Sequence, residues 1–353
     1  MGAEEDILFK LSGAVGRVEL NRPKALNALT LAMMRRFDAK LIAWAGDARV
    51  KAVVVTGAGE RAFCAGGDIR ALYEAMGRPD DPLPRDFYRQ EYTLNHRIFH
   101  YPKPYIALVD GVVMGGGVGV SVHGSHRVVT ERLIFAMPET GIGLFPDVGG
   151  SYFLFRCPGR IGMYLGLTGA RLGPADALYC GLATHYVPRE RLRPLATALA
   201  GADVGDDARQ AVSTVIERFA ADPGPAPLAQ HRDAIDRCFA ARSVEGIMEA
   251  LQAEGSAWAK ETRAMLETKS PTSLKVTFRQ LTAGAGLDIA EALTIEFRLT
   301  QRFVAGHDFY EGVRAAVIDK DNAPAWKPAR LGEVDEAEVD SYFAPLPQGE
   351  LTF

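Results

Sequence analysis

Two glycine clusters, Cys64-Ala65-Gly66-Gly67-Asp68 and Met114-Gly115-Gly116-Gly117, constrain the fold of this chain more than any other feature. Each follows a strand-like apolar run, Val53-Val54-Val55 in one case and Tyr105 to Val109 in the other, and each precedes a helical stretch. Glycine at such a handover lets the backbone approach a neighbour or a ligand closely, and free N–H groups at a helix start favour negative charge. A lone glycine pair does no more than permit a tight turn. Two such turns in one alternating layout point to the α/β class, and facing each other they would hold one oxygen between two donors.

The surrounding pattern agrees. Residues 7–20 alternate apolar and polar around Ser12-Gly13, which predicts two strands joined by a turn. From Thr30, a helix cap, Leu31, Met34, Phe37, Leu41 and Trp44 recur at spacings of three and four, the mark of an amphipathic helix. Another strand is expected over 127–130, a helix from Pro174 to near Gly181, and a short strand at 185–187. The stretch 220–227, Ala-Ala-Asp-Pro-Gly-Pro-Ala-Pro, reads as a linker, and beyond it the pattern is helical almost to Ala316. The division expected is therefore 1–220 and 221–353, with a proline-punctuated tail of no readable conformation.

Composition narrows the function classes. With 40 basic and 44 acidic residues spread along the 353, no basic stripe suits a nucleic-acid backbone. Neither glycine cluster matches a dinucleotide fingerprint or a phosphate loop. The four cysteines, Cys64, Cys157, Cys180 and Cys238, form no CxxC pair, and His123 and His126 have no accompanying ligand cluster, so no metal is assigned. Met1 to Asp6 is acidic and unlike a leader, and no apolar run approaches bilayer length, so the expectations are a cytoplasmic protein and no membrane.

The segment 136–150, Ala-Met-Pro-Glu-Thr-Gly-Ile-Gly-Leu-Phe-Pro-Asp-Val-Gly-Gly, sets two carboxylates, Glu139 and Asp147, in an apolar loop. A desolvated carboxyl has a raised pKa and exchanges protons near neutrality. In the plainer reading, Asp147 caps the helix that Gly149 begins and Glu139 pairs with an arginine. Residues 85–100 read as an amphipathic helix with its charges on one face, which by spacing alone makes Glu91 a solvated side chain. Phe297, Phe303, Phe309 and Tyr310 read as core or intersubunit packing.

Taken together, Asn21-Arg22-Pro23, Phe63-Cys64-Ala65-Gly66-Gly67-Asp68-Ile69, Met114-Gly115-Gly116-Gly117 and Pro138-Glu139 resemble the crotonase superfamily of enoyl-CoA hydratases and isomerases. The resemblance runs from residue 7 to about 330 and implies a crotonase-like ββα spiral core with a C-terminal helical region. It implies that Gly67 and Gly116 supply the two N–H donors of a thioester oxyanion hole, and that Ala65, Gly67, Ile69 and Gly116 line the path of the acyl-CoA substrate. No cofactor is implied beyond the CoA of the substrate itself. Relatives of this kind form trimers or hexamers through their C-terminal helices, so a homo-oligomer is expected.

One departure is informative: hydratases of the superfamily carry their first catalytic glutamate where this chain has Gly119. Phe145-Pro146-Asp147-Val148-Gly149-Gly150, Arg89-Gln90-Glu91-Tyr92, Ser270-Pro271-Thr272-Ser273-Leu274-Lys275 and Glu311-Gly312-Val313-Arg314-Ala315 with Asp319-Lys320 are instead similar to the 3-hydroxyisobutyryl-CoA hydrolase branch, an activity of valine catabolism. That resemblance implies Glu139 acting at the thioester carbonyl as general base or as nucleophile, Asp147 orienting water or the substrate hydroxyl, and Glu91 binding that hydroxyl. A hydratase or isomerase using Glu139 alone and a catalytically silent CoA-ester binder are the alternatives.

Overall fold

The computed structural model describes residues 5–76, 78, 81–202 and 207–353. They divide into two units, each assembled from three stretches of chain. The first takes residues through Gly67, Thr93–Phe135 and Leu172–Ala226; the second takes Asp68–Tyr92, Ala136–Arg171 and Pro227–Phe353.

The first unit is built on nine short strands: β1 (Ile7–Ser12), β2 (Val15–Leu20), β3 (Ala52–Gly57), β4 (Ala62–Cys64), β5 (Tyr105–Val109), β6 (Val112–Met114), β7 (His126–Val129), β8 (Ile134–Ala136) and β9 (His185–Tyr186). Among the described residues they form a six-stranded sheet in the order β1-β2-β3-β5-β7-β9 and a three-stranded sheet in the order β4-β6-β8. The expected hairpin is present, β1 pairing antiparallel with β2 across a turn in which Gly13 takes a φ of +57°. Every later pairing in the larger sheet is parallel. Parallel strands are covered on both faces, which is why Val53-Val54-Val55 is apolar without alternation. Val15, Val54, Ile106, Val128 and Val187 pack there against Leu195, Leu199, Val212 and Ile216 from two helices, Arg189–Ala200 and Ala208–Glu217. Thr30 caps the helix Leu31–Gly46, its side chain accepting from the Met33 N–H.

His126 lies between two hydroxyls, Ser125 Oγ at 2.9 Å from Nδ1 and Ser213 Oγ at 3.0 Å from Nε2. Among the described residues no helix is long and apolar enough to cross a membrane.

The second unit is mainly helical. Its core joins Leu144 and Phe145 to Val276, Leu299, Phe303, Phe309 and Val313. These come from the helices Pro271–Ala283, Ile289–Phe303 and His307–Val313, the second opened by a capping box between Asp288 and Glu291. Phe297, Phe303 and Phe309 are buried as expected, and Tyr310 stands edge-on to Tyr73.

The motif around Glu311 is structural: its carboxylate grips Arg314 at 2.8 and 2.9 Å, and Arg314 also reaches Asp319 and Asp321. The tail without a readable conformation contains a helix, Glu336–Phe343, which Asp335 caps. Arg279 holds that helix through Asp340 and Glu336, and Arg298 binds Glu350 beyond it. Long-range ion pairs of this kind leave no periodicity in the sequence.

Candidate active site

The two glycine turns come together in the first unit. β4 and β6 are parallel neighbours, Ala62 opposite Val112 and Cys64 opposite Val113, so the segments that follow them emerge side by side. Gly66 has a φ of +118°, which side chains rarely tolerate, and a Cβ there would lie 3.5 Å from the Met114 carbonyl oxygen and 3.9 Å from the Gly116 nitrogen. At Gly117 a Cβ would sit 2.1 Å from the Cys64 carbonyl oxygen, so the two backbones touch with no side chain between them. Gly116 opens the helix Gly116–Val122, and the first N–H groups of a helix have no intrahelical acceptor. The Leu29 N–H anchors the other turn by donating to the Gly66 carbonyl over 2.9 Å. Ala65 belongs to this unit. Ile69 begins the helix Ile69–Met76 in the second unit, against its apolar core.

Glu91, Glu139 and Asp147 all lie in the second unit and form one cluster there. The helix Leu83–Phe99 contributes Tyr88, Glu91 and Tyr92, which helical spacing of three and four places on one face. Glu139 opens a short 3-10 helix, Glu139–Ile142. That turn is pinned by a bond from the Ser270 N–H to the Thr140 carbonyl, 3.1 Å, and by two close backbone contacts. A Cβ on Gly143 would lie 2.1 Å from the Asp308 carbonyl oxygen, and one on Gly312 would lie 2.3 Å from the Ile142 carbonyl carbon. Asp147 accepts a hydrogen bond from the Tyr92 hydroxyl, 2.8 Å to Oδ2.

All three carboxyls are buried, with relative exposures of 2% for Glu91, 5% for Glu139 and 4% for Asp147. Among the described residues none of them forms an ion pair with Lys or Arg. The solvated reading of Glu91 therefore fails, because the charged residues of its helix point elsewhere while its own face packs inward. Glu139 has no arginine. Asp147 does not cap the next helix with its side chain; only its main-chain carbonyl accepts, from the Gly150 N–H at 2.8 Å.

Burial raises the proton affinity of each. It holds the Glu91 and Glu139 carboxyls well above the ordinary range, and the negative charge of Asp147 pushes both further. Asp147 is pushed up to about 7 by burial, against the opposing pull of the Tyr92 hydrogen bond. Like charges buried together cannot all ionise, so the cluster keeps protons that isolated carboxyls would lose. Tyr88 and Tyr92, raised by burial and by the carboxyls around them, stay neutral donors. One oxygen of Glu91 and one of Glu139 have no protein partner; a buried polar atom left with no partner of any kind costs about 1–3 kcal/mol. Polar atoms left so are what a bound polar group would satisfy.

Sequence reasoning passed over Tyr88 and gave Tyr92 no role, although both fall on the helical face of Glu91. It also passed over Glu296 and Gln280, which hold the Asp147 loop from the C-terminal helices and carry no local motif at all.

Residues 15–343 match the enoyl-CoA hydratase/isomerase family model. The chain is 49% identical over 352 residues to the mitochondrial 3-hydroxyisobutyryl-CoA hydrolase of Danio rerio, covering 99% of this chain and 92% of that one. It is 46% identical over 356 residues to the corresponding protein of Homo sapiens, again covering 99% and 92%. Among solved structures, a carnitinyl-CoA dehydratase from Mycobacterium thermoresistibile has a TM-score of 0.92 at 43% identity, covering 99% of both chains. An enoyl-CoA hydratase from Rhodobacter sphaeroides 2.4.1 has a TM-score of 0.89 at 42% identity, covering 99% of this chain and 100% of the other. The fold class read from the sequence, crotonase-like α/β, is thereby established. Residence in the cytoplasm does not stand: the hydrolases of Danio rerio, Xenopus tropicalis and Homo sapiens are mitochondrial. An address is read from a segment that the fold does not need, so the character of the folded residues carries no weight on it.

Proposed function

The chain belongs to the enoyl-CoA hydratase/isomerase family, and we propose that within it the protein hydrolyses the thioester of 3-hydroxyisobutyryl-CoA, or of a close short 3-hydroxyacyl-CoA, to the free acid and CoA. One observation carries this reading: Asp147, held by Tyr92, is buried close enough to Glu139 and Glu91 that its charge raises the proton affinity of both. Gly119, where hydratases of the family carry a glutamate, lies buried in the Gly116–Val122 helix and offers no carboxyl.

In this mechanism the carbonyl oxygen accepts from the Gly67 and Gly116 N–H groups as negative charge develops on it. Losing one such donor typically costs about 2.7–4 kcal/mol in the barrier. Ionised Glu139 takes the proton of a water that attacks the carbonyl carbon, or attacks that carbon itself to form an anhydride that water then opens; the raised proton affinity makes that carboxylate a stronger base than an exposed one. The C–S bond breaks and CoA leaves as the thiolate, which takes up a proton. Asp147 orients the water or the substrate hydroxyl, and Glu91 binds that hydroxyl. Ala65 and Ile69 line the CoA path, and no cofactor is needed beyond the CoA of the substrate. Residues 1–220 carry the CoA-ester site and 221–353 the contacts of a homo-oligomer, a trimer or hexamer. A single-chain mass in gel filtration would exclude the oligomer.

The similar carnitinyl-CoA dehydratase and enoyl-CoA hydratase structures favour a second reading, in which Glu139 alone adds or removes water. A paired assay separates the two: thiol release from 3-hydroxyisobutyryl-CoA and loss of enoyl absorbance from crotonyl-CoA, with one preparation and a Glu139→Gln control. Thiol release lost in the control supports the hydrolase. Absorbance loss without thiol release would replace it with the hydratase, and activity toward neither would leave a CoA-ester binder.

A further inference from the structure

The segment that carries Asp147 is held in a conformation that it would not choose. Val148 has a φ of +50° and Gly149 one of +87°, two consecutive left-handed residues of which the first is β-branched. A β-branched side chain at positive φ is disfavoured wherever the backbone is free, so neighbouring groups must enforce it.

Those groups are identifiable. Glu296, on the helix Ile289–Phe303, is fully buried and accepts three hydrogen bonds from the segment. The Gly149 N–H donates to Oε2 at 2.7 Å, and the Ser151 N–H and Oγ donate to Oε1 at 2.9 and 2.7 Å. Gln280, on the helix Pro271–Ala283, donates from Nε2 to the Pro146 carbonyl at 2.8 Å and to Ser151 Oγ at 2.9 Å. The clamp therefore grips the chain on both sides of Asp147, at Pro146 before it and at Gly149 and Ser151 after it. Tyr92 takes the carboxyl tip from another helix.

Among the described residues Glu296 forms no ion pair. A buried carboxyl is an expensive way to close a loop, since apolar groups of similar volume serve stability as well or better. What apolar groups cannot do is fix two backbone N–H groups in direction. We propose that Glu296, with Gln280, is a positioning residue for Asp147: it imposes the left-handed turn at Val148 and Gly149 that aims the Asp147 carboxyl at Tyr92 and at the hydroxyl of the acyl group. This inference rests on the role given to Asp147 under the proposed function.

The test is a double-mutant cycle on the full-length chain, comparing Glu296→Gln, Asp147→Asn and the pair. Thiol release is measured from 3-hydroxyisobutyryl-CoA and from isobutyryl-CoA, which lacks the hydroxyl. Glu296→Gln keeps the volume but presents an NH2 to one of the N–H donors. It is expected to lower kcat ~30-fold, to leave KM within ~3-fold, and to bring the preference for the hydroxylated ester down to that of Asp147→Asn. In the pair, the second substitution should add less than ~3-fold, because the clamp has nothing left to aim.

Multiplying effects, or an unchanged preference in Glu296→Gln beside a lost one in Asp147→Asn, would overturn the inference and leave the hydrolase reading intact. An Asp147→Asn variant with unaltered kcat and preference would instead remove the reading beneath it. If Glu296→Gln does not fold, Ser151→Ala carries the same cycle. It deletes the Oγ contacts to Glu296 and Gln280, and is expected to cost ~5-fold in kcat on the native background and nothing on Asp147→Asn. Equal cost on both backgrounds would overturn the inference.

Discussion

The glycine turns of the first unit and the carboxyl cluster of the second solve different problems. In the turns the groups proposed to work are backbone N–H donors, and their placement needs only two parallel strands and glycines that let the main chains touch. In the cluster the groups proposed to work are side chains whose proton affinity depends on being buried and close to one another. A backbone N–H is a donor at any pH and wherever it is put; a carboxyl changes between donor and acceptor with its surroundings. The first kind of site can be written into a few consecutive residues, whereas the second exists only once distant segments have packed.

The contrast is broken most directly at Glu139. Glu139→Gln keeps the shape and removes the proton chemistry, so kcat for thiol release should fall ~10^3-fold or more while CoA-ester affinity, read by titration calorimetry, changes only a few-fold. An equal loss of affinity would make Glu139 a binding residue.

Gly117→Ala probes the other side. A Cβ there would meet the Cys64 carbonyl oxygen at 2.1 Å, so the turns must separate. The expected result is a ~10^2-fold loss in kcat, as for a misplaced oxyanion donor, together with a lower Tm. Retained kcat would mean that the donors are not set by this contact.

A smaller effect is expected from Tyr92→Phe. The Tyr92 hydroxyl stabilises ionised Asp147, so its removal should raise the Asp147 pKa above its value of about 7 and move the acidic limb of the pH–rate profile to higher pH, with kcat down ~5-fold at neutrality. An unmoved limb would show that Asp147 does not govern it.

A further effect is expected on stability instead of rate. Because the folded pKa of Asp147 lies near 7 against an ordinary 3.8, the native state holds a proton that the unfolded chain releases. Its contribution is fully present below the unfolded value and is lost as pH rises through about 7. Asp147→Asn cannot release that proton, so its Tm should fall less between pH 4 and pH 7 than that of the native chain. Parallel Tm curves would sever the link between burial and proton affinity.

The same contrast governed how far the sequence could be read. The hairpin around Gly13, the helix capped by Thr30 and the strand through Val53 to Val55 follow local rules and stand where expected. Strands β4, β6 and β8 are three residues each, too short for a period of two to register, yet β4 and β6 are what set the glycine turns side by side. Glu91 shows the opposite failure. Its helix was legible, but the face that becomes buried was not, since charged neighbours at helical spacing look alike whichever way the helix rolls.

By itself the sequence determined the α/β alternation, the two close-approach turns and the family, because each rests on residue types at short and fixed spacings. Only the tertiary structure decided that Asp147 would meet a tyrosine 55 residues away, and that Glu296 would hold its loop across an interval of 147. Proton affinity depends on desolvation and on distances between charges, and neither quantity exists until the chain has closed on itself.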